Sequence, residues 1–168
     1  DYFACSKRAG EWLFGKDISN SGKVTVLNNA VDTEKFRFNE EVRNNIRRKL
    51  DIEGKKVIEH VGRFNPQKNH EFLIDVFNEI YKKDKNTVLL LIGDGYLKVK
   101  IEEKVKKLGL DNSIKFLGVR EDIPELMQAM DLFLFPSQWE GLAVVMVEAQ
   151  AAGMKVITTT GVTAESNI

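Results

Sequence analysis

The sequence has a single cysteine, Cys5, among its 168 residues. A disulfide-stapled fold is therefore excluded, and the lone thiol is typical of a small buried hydrophobe in a reducing compartment. No run approaches the roughly 18 to 20 consecutive apolar residues that a membrane-spanning helix requires. The first residues also lack the charged-then-apolar pattern of a signal peptide. We therefore expect a cytoplasmic protein, with docking on the inner face of the membrane as a further option.

Net charge is also missing, because 25 Lys and Arg residues balance 25 Asp and Glu residues. This balance excludes the broad positive field of a general nucleic-acid binder, so no nucleic-acid partner is expected. Any anion must instead be bound locally. The sequence shows no repeat and no low-complexity segment, and its length suits one full domain with a fragment of a second.

From about residue 55, short β-branched runs alternate with segments of helical spacing. The predicted strands span residues 56–61, 87–92, 113–117, 131–135 and 154–159. The predicted helices span residues 69–82, with Asn69 as N-cap, 96–108, 123–130 and 141–152. This alternation predicts an α/β fold, a Rossmann-like doubly wound parallel sheet, with ligands at the carboxyl ends of the strands.

Before residue 55 the pattern is different. A strand end at 1–4, a helix at 6–14 and a strand at 23–27 precede a turn-rich connection at 28–38 and a charged helix at 40–50. The charged helix carries a basic cluster, which consists of Arg43, Arg47, Arg48 and Lys49. We interpret the cluster as a solvated helix face, with docking on an anionic membrane surface as the alternative.

The first candidate site follows the first strand of the sheet. Gly62 permits a sharp turn, and Arg63 and Lys68 then lie on a loop at the carboxyl edge. A guanidinium and an ammonium in this position suit a diphosphate. The competing interpretation is a loop with two exposed basic residues.

The second candidate site is the Gly93-Asp94-Gly95 sequence after the next strand. It is not a dinucleotide fingerprint, because Lys98 occupies the position of the third glycine. Its glycines permit close approach of the backbone to a ligand, although a tight strand-to-helix turn would explain them equally well.

The third candidate site spans residues 136–149. Glu140 lies between a strand and a predicted helix that begins at Gly141, and Glu148 falls two turns into that helix. Amide groups of Gly141 to Ala143 would point toward an anion at the helix start. Glu140 has an alternative role as a helix-start carboxylate, whereas Glu148 lies in an apolar segment and needs a partner, which a ligand hydroxyl would supply.

Two histidines, His60 and His70, lack the spacing of a catalytic triad or a metal site, so we interpret both as structural or solvent-exposed. No metal site is expected, since the sequence contains no Asp-x-Asp signature.

Taken together and in this order, the three candidate sites, Phe116-Leu117-Gly118 and Gly153 resemble the donor domain of the family-four retaining glycosyltransferases, the group 1 glycosyl transferases. The resemblance covers about residues 55–168, and residues 28–32, Asn-Asn-Ala-Val-Asp, look like a variant of the family's interdomain connection. It implies that residues 1–32 are a remnant of the N-terminal acceptor domain and the connection. Residues 33–168 would then be the donor-binding domain, truncated at its C-terminus, in the C-terminal half of a GT-B fold.

The resemblance also implies roles for individual residues. Arg63 and Lys68 would hold the donor diphosphate, Glu140 would contact the transferred sugar, and Glu148 would bind the ribose. Further donor contacts would come from three loops and one strand end, at Gly62, Gly93, Asp94, Gly95, Leu117, Gly118, Val119, Arg120, Gly141, Leu142 and Ala143. Catalysis would depend on Glu140, Arg63 and Lys68, without a metal or other cofactor.

The implied activity is hexosyl transfer from a UDP- or GDP-linked sugar to a glycan or lipid-linked acceptor in polysaccharide biosynthesis. Two departures from the family pattern are present. Ala30 replaces the usual glycine of the connection, and Ala143 followed by Val144 stands after Leu142, where the family often has glycine or proline. Because the acceptor domain would be needed for turnover, we expect the 168 residues alone to be inactive. The alternatives are an isomerase resembling the nucleotide-sugar 2-epimerases and a nucleotide-binding module without chemistry.

Overall fold

The computed structural model describes residues 1–162 and 164–166, which form two parallel β-sheets. The smaller sheet pairs β1 (Tyr2–Ala4) with β2 (Val24–Val26), and the helices α1 (Lys7–Phe14) and α2 (Lys16–Asn20) connect these strands. Ser6 caps α1, since its Oγ accepts a hydrogen bond from Ala9 N at 3.0 Å. We call residues 2–26 the small unit.

The larger sheet has five parallel strands in the order β5-β4-β3-β6-β7. These strands are β3 (Lys56–Val61), β4 (Thr87–Ile92), β5 (Ile114–Gly118), β6 (Leu132–Phe135) and β7 (Lys155–Thr158). The strand order reverses at β3 and β6, so a crevice opens above their carboxyl ends. The predicted doubly wound sheet is therefore confirmed.

Helices cover both faces of the larger sheet. They are α3 (Thr33–Phe36), α4 (Glu40–Lys49), α5 (His70–Lys83), α6 (Lys98–Lys107), α7 (Ile123–Gln128) and α8 (Val144–Ala151). On one face α5 and α6 bury Leu73, Phe77 and Ile101 completely. On the other face α3, α4, α7 and α8 pack around residues such as Leu126 and Phe133. These two apolar layers hold the strand ends in fixed positions.

Several predicted boundaries need correction. The connection at 28–38 contains α3, and α2 follows α1 where no helix was predicted. Asn69 is not a side-chain cap: it adopts a left-handed backbone with φ 54°, and Asn65 instead caps the preceding 3₁₀ turn by accepting from Lys68 N at 3.1 Å. Asparagine tolerates the left-handed region better than most residues, which explains its place at this junction.

The basic cluster on α4 is only partly solvated, contrary to the prediction. Arg47 is buried and donates to Ala129 O at 2.6 Å, while Arg43 forms an ion pair with Asp131 at 2.5 Å. Burial raises the pKa of Asp131, but hydrogen bonds from Val57 N–H and Arg43 outweigh burial and lower the pKa overall. Arg43 and Arg47 thus fasten α4 to the segment before β6, and only Arg48 and Lys49 remain exposed.

Among the described residues, no helix is long and apolar enough to cross a membrane. Cys5 is half-buried at the end of β1.

Candidate functional site

A cavity of about 610 Å³ opens at the carboxyl ends of β3, β4 and β5. We call it the edge cavity. It is lined by Val61, Gly62, Arg63, Ile92, Gly93, Asp94, Gly95, Tyr96, Val119, Arg120 and Ile123. Gly62 and Arg63 of the first predicted site, the whole second site and the residues after β5 therefore line one cavity, whereas Lys68 does not.

Glycine is required where two loops of the edge cavity touch. A Cβ on Gly93 would lie 2.2 Å from Gly62 O, and a Cβ on Gly95 would lie 2.6 Å from Phe64 O. The same loops are joined by backbone hydrogen bonds, such as Phe64 N to Asp94 O at 2.9 Å. The glycines therefore serve the contact between these loops.

Arg63 and Arg120 differ in their availability to an anion. Arg63 is exposed, and its guanidinium has no hydrogen-bond or ion-pair partner within residues 1–162 and 164–166. Arg120 donates to both oxygens of Asp122 at 2.7 and 2.6 Å, and this hydrogen bond lowers the pKa of Asp122. Arg63 is thus the guanidinium that is free to bind an anion in the edge cavity.

The end of β5 forms the far wall. Gly118 has φ 69°, and its carbonyl oxygen accepts from Gly93 N at 2.8 Å. Val119 is 76% exposed at the cavity mouth, whereas Leu117 packs against the core beneath it. A planar ligand group at this wall would contact Val119 and the backbone rather than Leu117.

Lys68 and Glu140 form a close ion pair beside the edge cavity. Lys68 Nζ lies 2.6 Å from Glu140 Oε1, and both side chains are largely buried, at 16% and 9% exposure. The ammonium also lies 4.6 Å from the centre of the Phe135 ring. The predicted diphosphate ligand Lys68 is therefore held by the predicted sugar ligand Glu140.

Hydrogen bonds between the two loops keep this ion pair in place. Gln138 N donates to Gln67 O at 2.8 Å, and Gln67 Nε2 donates to Trp139 O at 2.9 Å. The loops are 72 positions apart in sequence. These bonds fix the loop that carries Lys68 relative to the loop that carries Glu140.

Two buried histidines lie under Lys68. The rings of His60 and His70 are 4.8 Å apart, and His70 stacks on Phe64 at 4.0 Å. The pKa of His60 is lowered to about 3 and that of His70 to about 4, mainly by burial and in part by the neighbouring Lys68 charge. Both rings are neutral at pH 7, so they pack beside the ammonium without repelling it.

The region after Glu140 departs from the prediction. Helix α8 begins at Val144 rather than Gly141, so Glu148 lies about one turn into it. Ala143 is buried, and its N–H donates to Ser166 Oγ at 3.3 Å, so this amide is occupied. The amides predicted to meet an anion at the helix start are therefore not all free.

Glu148 is half-buried, and its carboxyl group has no hydrogen-bond partner within the described ranges, 1–162 and 164–166. Burial raises its pKa. Together with Leu142 and Ala143, it lines neither the edge cavity nor the pocket described next. A carboxyl group in this state favours a hydroxyl ligand, as the sequence suggested.

A second cavity of about 440 Å³ lies where α1 meets the loop after β6. We call it the indole pocket. It is lined by Arg8, Ala9, Trp12, Leu13, Trp139, Glu140 and Gly141. The small unit is fastened here by Ser6 Oγ, which donates to Gly141 O at 3.1 Å.

Sequence reasoning missed several lining residues of the two cavities, among them Tyr96, Trp139, Arg8 and Trp12. Tyr96, which is 75% exposed, directly follows Gly93-Asp94-Gly95, and that adjacency was an available signal. Trp139 lies next to Glu140 within the third site. For Arg8 and Trp12 no local signal existed, because they reach the pocket from the small unit.

Solved structures with a similar fold are glycosyltransferases. The HepE protein of Anabaena, solved with UDP and glucose, superposes with a TM-score of 0.85 at 26% identity, over 99% of this chain and 46% of HepE. WaaG, a glycosyltransferase of lipopolysaccharide biosynthesis, has a TM-score of 0.73 at 27% identity, over 83% of this chain and 39% of WaaG. The fold is thus the C-terminal, Rossmann-like half of the GT-B architecture.

Sequence comparisons agree. EpsF of Bacillus subtilis, whose name describes it as a glycosyltransferase, is 37% identical over 161 residues, 95% of this chain and 42% of EpsF. An α-1,3-galactosyltransferase of Escherichia coli is 33% identical over 142 residues, 80% of this chain and 36% of that enzyme. The chain thus spans less than half the length of these relatives. The family model for glycosyl transferases group 1 matches residues 42–167, and the chain belongs to that family.

Proposed function

We propose that this chain is the donor-binding part of a retaining glycosyltransferase. The enzyme transfers a hexosyl group from a nucleoside-diphosphate sugar to a glycan or lipid-linked acceptor in polysaccharide biosynthesis, and this part of it binds the donor. The observation that carries the proposal is the edge cavity with a free guanidinium, Arg63, beside the Lys68–Glu140 pair.

Two comparisons support a nucleotide-sugar donor. HepE is described in complexes with UDP and with UDP-glucose. The E. coli relative is named for its substrate UDP-Gal and for an acceptor linked to diphosphoundecaprenol. Relatives named for Vi polysaccharide biosynthesis and for lipopolysaccharide core biosynthesis support the proposed pathway class.

In the proposed reaction, the two cationic side chains Arg63 and Lys68 stabilise the donor diphosphate. Arg63 binds the diphosphate, and Lys68 shifts part of its interaction from Glu140 to the phosphate next to the sugar. The bond between the sugar C1 and the phosphate oxygen breaks while a bond from C1 to the acceptor oxygen forms on the same face. The acceptor proton passes to the departing phosphate, so the nucleoside diphosphate leaves without a protein nucleophile.

The remaining contacts orient the donor. Glu140 accepts hydrogen bonds from hydroxyls of the transferred sugar, and Glu148 accepts from the ribose. The backbone from Gly118 to Arg120 faces the base. We also propose that the protein acts in the cytoplasm, which suits its single half-buried thiol, and that exposed Arg48 and Lys49 support contact with an anionic membrane.

Calorimetric titration with UDP, GDP and ADP tests this proposal. We expect one nucleotide to bind preferentially, with UDP the leading candidate, and Arg63→Ala to weaken it roughly 30-fold because a charge-assisted contact to the diphosphate is lost. Glu148→Ala should weaken it about tenfold through the ribose. Arg48→Ala, a matched change on exposed α4, should have no effect. Equal weak binding of all three nucleotides, unchanged by either site substitution, would contradict the proposal.

A further inference from the structure

The two imidazole rings beneath Lys68 have ring nitrogens without hydrogen bonds. His60 Nδ1 lies 2.9 Å from Leu134 O. A carbonyl oxygen only accepts, so the neutral ring carries its proton on Nδ1 and its lone pair on Nε2. In the described part of the chain, this buried Nε2 has no partner, and neither nitrogen of His70 has one. Buried polar groups without partners destabilise a fold and are rare, so three of them in one place require an explanation.

The lone pair of His60 shares a small space with the stem of Lys68. A Cβ added to Gly62 would lie 2.9 Å from His60 Nε2 and 3.1 Å from both Cγ and Cδ of Lys68. The lack of a side chain at Gly62 therefore leaves room for the acceptor and the lysine stem to lie side by side. His60 also stacks on Phe135, whose ring centre lies 4.6 Å from the Lys68 ammonium. The Nε2 lone pair and the ammonium thus belong to one buried cluster.

The His70 ring is tied to the turn that carries Lys68. Lys68 ends the 3₁₀ turn Pro66–Lys68, and α5 begins at His70 two residues later. The ring is 2% exposed, stacks on Phe64 at 4.0 Å and meets the His60 ring edge-on at 4.8 Å. A displacement of either ring would therefore be transmitted to the turn and to Lys68.

A neutral imidazole suits an ammonium that has to change partners. An ammonium has three N–H donors, and Lys68 directs one of them to Glu140. A carboxylate in place of His60 would form a second ion pair and compete with a phosphate, whereas an apolar side chain would offer no acceptor. With pKa values of about 3 for His60 and about 4 for His70, both rings are uncharged near neutral pH. They therefore offer lone pairs to Lys68 without cancelling its charge.

We propose that His60 and His70 are positioning residues for Lys68. The two rings hold its stem over Gly62, and His60 Nε2 accepts from the ammonium when a donor diphosphate draws it away from Glu140. This inference rests on the proposed function, in which Lys68 contacts the phosphate next to the sugar. Neither histidine touches the donor, so their substitution affects only ligands that carry this phosphate.

Calorimetry with UDP and UMP separates a positioning role from a structural one, because UMP lacks the phosphate assigned to Lys68. His60→Met removes the acceptor, whereas His60→Gln, of nearly the same size, keeps one near the place of Nε2. We expect His60→Met to weaken UDP about fivefold and UMP less than about twofold, and His60→Gln to bind UDP nearly as the parent chain does. His70→Met should weaken UDP about twofold. If GDP or ADP proves the preferred nucleotide, it and its monophosphate replace this pair.

A double-mutant cycle shows whether His60 acts through Lys68. Lys68→Met should weaken UDP roughly 20-fold, because a charge-assisted contact to the phosphate is lost. In that background His60→Met should have no further effect, since the group that it positions is gone. Thermal denaturation verifies that each variant is folded.

Nuclear magnetic resonance of the parent chain provides a measurement that needs no variant. The chain has only two histidines, so ¹⁵N labelling of histidine gives four ring-nitrogen signals. The signal of the unprotonated His60 Nε2 should move toward that of a hydrogen-bonded nitrogen when UDP is added. Addition of UMP should leave it in place.

Three outcomes would overturn the inference while UDP binding by the parent chain leaves the proposed function intact. One is an equal loss of UDP and UMP affinity in His60→Met, which would make the ring a structural residue. Another is a cycle in which the losses from His60→Met and Lys68→Met multiply. The third is an Nε2 signal that does not respond to UDP. Failure of every nucleotide to bind to the parent chain would instead remove the proposed function, and the positioning role with it.

Discussion

The edge cavity and the indole pocket are built from different parts of the molecule. The edge cavity lies at the ends of strands of the five-stranded sheet, where the loops that carry Gly62 and Gly93 touch backbone to backbone. The indole pocket lies between α1 and the loop after β6, with Trp12 from the helix and Trp139 from the loop. Where backbone touches backbone few substitutions are tolerated, whereas exposed side chains such as Trp12 are free to change without loss of the fold.

The largest expected effect tests the backbone wall. Gly93→Ala would put a Cβ 2.2 Å from Gly62 O at φ 130°, so we expect a loss of about 4 kcal/mol in unfolding free energy, measured by urea denaturation. Gly109→Ala is the control: it has φ 67° but nothing within 4 Å, and should cost only about 1 kcal/mol. Equal losses for the two variants would show that the close contact is unimportant.

The next effect concerns the sheet beneath the edge cavity. Glu59 on β3 is fully buried with no partner for either oxygen in the described part of the chain, and burial raises its pKa to about 8. Between the unfolded pKa near 4.5 and pH 8, the unfolded chain releases this proton and the folded chain keeps it. Stability contributed by Glu59 therefore falls as pH rises through that window.

Glu59→Gln removes this dependence. We expect the variant to gain on the order of 3 kcal/mol over the parent at pH 8 and nearly nothing at pH 4.5. His60 and His70 have the opposite effect on stability below pH 6.5. There the unfolded chain binds protons that the two buried rings do not bind, so their contribution to stability rises with pH. Urea denaturation from pH 4.5 to 8 provides the measurement, and a constant difference between variant and parent would contradict it. The small unit has no buried ionisable side chain within its described residues. We therefore expect this pH response to come from the larger sheet beneath the edge cavity.

The smallest effect is confined to the indole pocket. Ser6→Ala removes the cap of α1 and the hydrogen bond to Gly141 O, at a cost of about 1 kcal/mol. Hydrogen exchange should accelerate in α1 but not in β3 to β7, and UDP affinity should not change. Ser21→Ala, an exposed serine of the same unit, serves as the control. Faster exchange throughout the larger sheet would show that the two regions are not separable.

The same contrast explains what the sequence could reveal. Strands β3 and β4 were predicted to the residue, because their buried β-branched and leucine runs carry a local signal. The glycines of the edge cavity were also found, since each follows a strand directly. Contacts between distant segments gave no such signal: Arg47 was predicted to be solvated, yet its side chain reaches Ala129 O across 82 positions. The start of α8 was misplaced because Gly141 to Ala143 form an extended connection held by Ser166 rather than a first helical turn.

The carboxylate of Glu165 accepts from the backbone N–H of Lys7 at 2.8 Å and of Arg8 at 3.2 Å, across 158 and 157 positions. Contacts between residues so far apart in sequence form late in folding, because a long loop must close, at a cost in entropy, before the contact contributes any stability. During synthesis on the ribosome, the edge cavity therefore has most of its walls before the indole pocket exists. A nascent chain halted before residue 165 would have the walls of the edge cavity, but it would lack the two hydrogen bonds that Glu165 accepts from the start of α1.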